Sequence, residues 1–368
     1  MPDAQSQQIK ELQRELSFSP IQVAQYTISP QHRPFIIAEM SGNHNQSLSR
    51  ALELVDAAAA AGAHALKLQT YTPDTITFNG KSDEFFIRDN QSLWADKNLY
   101  KLYQDAYTPW EWHARIFERA KQHGMVAFSS PFDTTAVDFL ESLKVPIYKI
   151  ASFENTDHIL LKKVAQTGKP VIMSTGVATV ADIAESVKVL RDHGCTELIL
   201  LKCTSTYPAT PESTNLNTIP HMSQLFNVPV GLSDHTMGIG ASVAATALGA
   251  VVIEKHFTLS RADGGVDSAF SLEPDELKNL VLESERAFLA LGQISYVPTP
   301  KEAKSLQFKR SLYVVQDMAA GDAFTAENVR SIRPANGLHT RHYEDVLTKK
   351  AALSIAAGTA LSWELMNG

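Results

Sequence analysis

From residue 34 onward the chain alternates short apolar, β-rich runs with longer segments of helical period, and it does so eight times. The runs are PFIIAEM, HALKLQTY, MVAFSSPF, PIYKIAS, PVIMSTG, LILLKCTS, VPVGLSDH and VVIEKHFT. Strands that alternate with helices must lie parallel, and eight such units in series over roughly 250 residues predict an α/β fold, the (β/α)8 TIM barrel. The helical segments carry ordinary end signals: SLSRALELVDAAAAAG opens on a serine and closes on Gly62, and PWEWHARIFERAKQHG runs from Pro109 to Gly124.

Two connections depart from the repeat. The one after the second strand, about residues 72–108, is far longer than an ordinary βα loop and reads as a lid or a subunit contact. After the last barrel helix, QISYVPTPKEAKS holds two prolines and reads as a linker. The expected organisation is an N-terminal extension over 1–32, a barrel over 33–291, a linker over 292–307 and a small β-rich domain over 308–368. That last domain has too few residues to bury much core alone and is expected to lean on another surface.

Composition excludes several classes of function. The 33 basic and 40 acidic residues give a net charge of -7 and form no basic stripe, so a nucleic-acid partner is not expected. Cys195 and Cys203 form no CxxC pair, which argues against a disulfide framework or a thiolate zinc site and for a reducing compartment. The polar N-terminus and the lack of any run long enough to span a bilayer predict a soluble, cytoplasmic protein with no membrane partner.

In such a barrel chemistry sits at the C-terminal ends of the strands. Here those ends carry Glu39, Asn43 and His44; Lys67 and Gln69; Ser129 and Ser130; Lys149, Ser152 and Glu154; Ser174; Ser205 and Tyr207; Ser233, Asp234 and His235; and Glu254, Lys255 and His256. The period of two sends Lys67 with Gln69, Ser233 with His235, and Glu254 with His256 to one face. Lys67 and Lys149 with serines 130, 152 and 174 suit a phosphate or carboxylate. His235 and His256 end adjacent strands and can share one divalent ion, with positions open for water and substrate, and Glu254 is expected to support them. Mn²⁺, Mg²⁺, Co²⁺ or Zn²⁺ suits that donor set about equally.

In this order, the segments IAEMSGNHN, LKLQTYTP, FSSPFD, YKIASFE, STG, LKCTSTYP, GLSDHT and EKHFT resemble the sialic acid synthase family over about residues 34–340. The resemblance implies a TIM barrel followed by an antifreeze-like (SAF) domain and a domain-swapped homodimer. It also implies a metal-dependent condensation (Mn, Mg or Co) of phosphoenolpyruvate with an amino sugar. The segments AEMSGNHNQSL, LQTYTPDTIT, DSAFSL and RPANGLH resemble the branch that makes pseudaminic acid from a 2,4-diacetamido-2,4,6-trideoxy-altrose. Ser205 stands where N-acetylneuraminate synthases carry Asn, which moves the acceptor away from N-acetylmannosamine.

Carried over residue by residue, the resemblance places phosphoenolpyruvate on Lys67, Ser130, Lys149, Ser152, Ser174, Ser205 and Ser233. It places the metal on His235 and His256, and the sugar on Gln69, Glu154, Tyr207, Asp267 and, from the small domain, Arg333. Glu39 resembles the family's catalytic carboxylate, and Glu154 and Glu254 are expected to share in the chemistry. A legionaminic or neuraminic acid precursor is the alternative acceptor. A non-catalytic carbohydrate- or ice-binding protein is the alternative from another class, and so many polar strand ends would serve no purpose on an inert scaffold.

Overall fold

The structure is a computed structural model and describes residues 19–89 and 93–367. Most of the expected N-terminal extension, residues 1–18, therefore lies outside the described residues. The first described elements form an antiparallel hairpin of β1 (Ile21–Val23) and β2 (Tyr26–Ile28). Ile21, Val23 and Ile28 are buried with the barrel core, and the Tyr26 ring packs edge-on against Phe35, the first residue of the first barrel strand. The hairpin thus covers the N-terminal end of the barrel and does not stand apart as an extension. Two three-residue strands leave almost no periodic signal in a sequence.

Eight parallel strands close into a barrel: β3 (Phe35–Glu39), β4 (Ala65–Thr70), β5 (Val126–Pro131), β6 (Tyr148–Ile150), β7 (Val171–Ser174), β8 (Leu198–Cys203), β9 (Val230–Asp234) and β10 (Val252–His256). All eight coincide with the runs read from the sequence. They are buried along almost their whole length because helices cover one face and the barrel interior the other, and this explains why they read as continuous apolar runs. Closure comes from β10, which pairs with β9 on one side and β3 on the other and sets His256 opposite Glu39.

The helix Leu48–Ala60 is capped by Ser47, whose side chain accepts the Arg50 amide, and it buries Ala51, Leu54, Val55 and Ala58 along one stripe. Pro109 occupies the cap position of the helix Trp110–Gln122 and not its first turn. The long connection between β4 and β5 contains short helices at Pro73–Ile76 and Leu99–Ala106.

The chain divides into two compact units, one ending at Gly292 and the second beginning at Gln293. In the second unit the stretch read as a linker forms a helical turn at Pro300–Ala303, capped reciprocally by Thr299 and Glu302. Its prolines had masked that capping signal. The unit is built on two small antiparallel pairs, β11 (Ser311–Val314) with β12 (Val329–Ile332) and β13 (Lys350–Ala351) with β14 (Met366–Asn367). It has its own core of Leu312, Val314, Phe324, Val329, Val346 and Leu361 with their neighbours, more than the sequence had suggested. Among the described residues no helix is long and apolar enough to cross a membrane.

Candidate active site

The strand period of two separates the polar strand ends into two sets. Ser233 donates to Glu254 Oε1 at 3.4 Å, and Glu254 in turn faces Lys67 and Lys149, so these groups share the barrel interior. The residues between them turn the other way. Lys255 Nζ pairs with Asp234 Oδ2 at 3.0 Å, and Ser242, from the helix Gly240–Ala247, donates to the same carboxylate. Ser129 likewise bonds Thr70, which bonds His113 of a covering helix. Asn43 holds the Phe257 carbonyl and Ser271, and His44 meets Thr108. Ser129, Asp234, Lys255, Asn43 and His44 therefore bind the shell together and do not join the convergent set.

Within the barrel mouth, Lys67 Nζ lies 2.7 Å from Glu39 Oε2 and 3.6 Å from Glu254 Oε1, and it donates to Ser130 at 3.3 Å. Lys149 Nζ donates to Ser174 at 2.7 Å and stands 3.8 Å from the same Glu254 oxygen. Burial alone would weaken both ammonium ions. At Lys67 the carboxylates of Glu254 and Glu39 outweigh it and leave the pKa raised, whereas at Lys149 burial prevails and lowers it. Burial also pushes Glu39 up, with Lys67 opposing only in part. Glu254, though equally buried, is held below its ordinary value by Lys149, Lys67 and His235 acting together.

Gly176 completes this part of the site. Its amide donates to Ser152 Oγ at 3.2 Å, and a Cβ built on it would lie 2.6 Å from that oxygen and 2.1 Å from Ser205 Oγ. Only glycine leaves Ser152 and Ser205 room to face each other across a backbone amide. With Ser174 two residues earlier in the chain and Lys149 bonded to it, the result is a cradle of short donors beside a cation.

The rings of His235 and His256 lie 5.3 Å apart, centroid to centroid. His235 Nδ1 is 3.0 Å from the Thr204 carbonyl, which assigns its proton to that nitrogen and leaves Nε2 to offer a lone pair in the neutral ring. Burial, with His235 and the lysines nearby, holds His256 well below its ordinary pKa and so neutral. Its Nδ1 is buried without a hydrogen-bond partner, 3.6 Å from Asp267 Oδ2. Asp267 accepts from Ser41, and Ser41 accepts from Gln69, which also donates to Glu39 at 3.0 Å. Among the described residues no group of three or more His, Cys, Asp and Glu is gathered in metal-binding geometry. A neutral His256 with an orphaned ring nitrogen, beside His235 whose Nε2 is free to bind once its ring is deprotonated, fits an ion that takes its other ligands from water and substrate.

Gln69, Ser152, Glu154, Tyr207, His256 and Asp267 line a cavity of about 410 Å³. Its remaining wall is largely apolar and comes in good part from the long connection after β4, through Ile76, Ile87, Trp94, Leu99, Leu102 and Ala106. Tyr207 sets its ring 4.6 Å from that of His235 and 5.6 Å from that of Trp94, tilted by 57° to each. Glu154 has one oxygen buried and unpartnered, and burial raises its pKa to about 7. Arg333 is exposed in the second unit, directly after β12. The structure thus brings together Glu39, Lys67, Gln69, Ser130, Lys149, Ser152, Glu154, Ser174, Ser205, Tyr207, Ser233, His235, Glu254, His256 and Asp267, all in the barrel unit. It adds Gly176, Ser41 and Trp94. The first sat unremarked in the STG segment, and the other two carried no signal of their own.

Residues 54–296 match the NeuB family, and residues 309–365 match the SAF domain. A Campylobacter jejuni protein named pseudaminic acid synthase is 46% identical over 327 residues, covering 89% of this chain and 95% of that one. A Helicobacter pylori protein of the same name is 43% identical, covering 89% and 96%. Among solved structures, the N-acetylneuraminic acid synthetase of Leptospira borgpetersenii is similar with a TM-score of 0.70 and 32% identity, over 79% of this chain and 96% of that one.

Proposed function

The chain belongs to the NeuB family, and from that premise and the geometry of its barrel mouth we propose that it is a pseudaminic acid synthase. It condenses phosphoenolpyruvate with 2,4-diacetamido-2,4,6-trideoxy-altrose and water, giving pseudaminic acid and phosphate. The observation that carries the reading is the pairing of two buried lysines with the Ser152–Gly176–Ser205 cradle, opening onto a cavity whose wall is partly apolar. That arrangement matches a small trianion beside a sugar that has lost one hydroxyl and carries two acetamido methyls.

Lys67, Lys149 and the serines at 130, 152, 174, 205 and 233 hold the phosphate and carboxylate of phosphoenolpyruvate. Gln69, Glu154, Tyr207 and Asp267 orient the open-chain acceptor so that its aldehyde carbon faces C3 of the enol. His235 and His256 would hold a divalent ion, Mn²⁺, Mg²⁺ or Co²⁺, which would supply Lewis-acid polarisation of the acceptor's aldehyde. As C3 bonds to the aldehyde carbon, positive charge develops at C2, where the Glu39 carboxylate stabilises it. Water held by Glu39 then adds at C2, its proton passing by way of Glu39 to the former aldehyde oxygen, and the tetrahedral adduct loses its hydroxyl proton to the departing phosphate as the C2–O bond breaks and the C2 ketone forms. Glu254 holds the two lysines apart at a fixed spacing and keeps their charge balanced before substrate enters.

Arg333 completes the acceptor site from the partner copy of a domain-swapped homodimer, where its guanidinium donates to an acetamido carbonyl. The enzyme works in the cytoplasm, where phosphoenolpyruvate is made. Mass spectrometry of the product tests the reading, with the altrose acceptor offered beside the precursors of legionaminic and N-acetylneuraminic acids. Preferential formation of pseudaminic acid is expected. Preference for another precursor would reassign the acceptor and leave the chemistry standing. Absence of phosphate release with all three would overturn the enzyme reading.

A further inference from the structure

β9 ends at Asp234, so His235 lies one residue beyond the ladder that fixes the strand. A buried knot on the outer side of the barrel holds it instead. Asp234 Oδ1 accepts the Thr236 amide at 2.9 Å and the Thr236 hydroxyl at 2.8 Å, and Oδ2 accepts Ser242 at 2.6 Å and Lys255 at 3.0 Å. Lys255 Nζ also donates to the Thr236 carbonyl at 2.5 Å. The residues before and after His235 are thereby tied to each other and to β10 in the position next to His256. The His235 carbonyl is tied as well, by the Ala209 amide at 3.0 Å. His256 needs no such device, because it is paired with Glu39 in the ladder.

Both charges of the knot are sealed, with side-chain exposures of 1% for Lys255 and 0% for Asp234. A buried ion pair seldom stabilises a fold beyond what an apolar pair of the same shape would do, so stability alone is a weak reason for one here. Its geometry gives a better reason. Asp234 and Lys255 are register partners across β9 and β10, directly behind the two imidazoles. We infer that the Asp234–Lys255 knot is a positioning device: it replaces the missing ladder bonds at His235 and fixes the spacing of the His235 and His256 rings for one divalent ion. The inference rests on the proposed metal role of the two histidines.

The experiment is calorimetric titration of Mn²⁺ alone into the metal-free full-length chain, with circular dichroism and thermal melts alongside. In the variant Asp234→Asn/Lys255→Met both charges are removed together, so no uncompensated ion remains and the fold is expected to survive. Mn²⁺ affinity is expected to fall about 10–100-fold, the usual cost of losing support behind a ligand. Ser242→Ala removes one bond to Asp234 and leaves both charges; it is expected to weaken Mn²⁺ binding about fivefold, the worth of one hydrogen bond, and it decides the matter if the double variant does not fold. Folded variants that bind Mn²⁺ within twofold of the parent would show the knot to be structural only and overturn the inference. A parent chain that binds none of Mn²⁺, Mg²⁺ and Co²⁺ would overturn the metal role itself, a distinct outcome that removes the inference with it.

Discussion

Lys67 Nζ sits 2.7 Å from Glu39 Oε2, with the two side chains only 4% and 1% exposed. Neither charge has water to fall back on, so removing one partner strands the other. Lys67→Met is expected to destabilise the fold by about 3–5 kcal/mol in chemical denaturation. Adding Glu39→Gln is expected to restore most of that stability but none of the turnover. Lys149→Met is expected to raise the KM for phosphoenolpyruvate by a factor equivalent to about 1.5–3 kcal/mol, one charge-assisted bond. A change confined to the sugar KM would place these lysines on the other substrate.

Gly176→Ala tests the cradle. The added methyl would fall 2.1 Å from Ser205 Oγ and 2.6 Å from Ser152 Oγ, so both hydroxyls must move aside. The expected result is a KM for phosphoenolpyruvate raised roughly tenfold or more, equivalent to about 1.4 kcal/mol, with a melting temperature close to the parent's. Unchanged kinetics in steady-state assays would remove the cradle from the anion site.

For the paired imidazoles, His235→Ala and His256→Ala are each expected to lower turnover by more than the 10–100-fold typical of outer-shell changes, with the fold intact by circular dichroism. EDTA is expected to do the same to the parent. Near-normal activity that still responds to EDTA would show that the substituted histidine is not a ligand.

Glu154 links stability to pH. Its carboxyl rises from an ordinary 4.5 to about 7 in the folded chain because it is buried, so between those values the folded state binds a proton that the unfolded state has lost. Its contribution is therefore fully present below about pH 4.5 and is lost as the pH climbs through 7. Melts across that range are expected to show the parent losing ground relative to Glu154→Gln, with the difference levelling above pH 7. A difference that does not vary with pH would place Glu154 in contact with water.

The role proposed for Arg333 is tested by mixing two nearly inactive chains, His256→Ala and Arg333→Ala, dissociated together and allowed to re-form dimers. A mixed dimer then has one intact barrel on the Arg333→Ala chain and one intact arginine on the other. Recovery of activity is expected. No recovery in mixed dimers confirmed by mass would show that the arginine does not act across the dimer.

The strands were legible because a doubly covered strand has to be apolar along its length, and the period of two correctly joined Lys67 to Gln69 and Glu254 to His256. Applied strictly, the same rule would have turned Asp234, Lys255 and Ser129 outward, since each stands one place from an inward residue. Other features have no local signature. Gly176 matters only because Ser152 and Ser205 arrive from different strands, and Ser41 meets Asp267 across 226 residues of sequence. The N-terminal hairpin was missed because its strands are three residues long.

The cavity's two kinds of wall have separate origins in the chain. Gln69, Ser152, Glu154, Tyr207 and His256, at or just past the ends of barrel strands, make the polar side, whereas Ile76, Ile87, Leu99, Leu102 and Ala106 come from a single insertion between β4 and β5. Mutations in that insertion can reshape what is accepted without disturbing the groups that break and form bonds. An ancestor could therefore change what it accepts by drift in one segment while the barrel ends stayed under constraint, and directed evolution toward new acceptors has its natural library there.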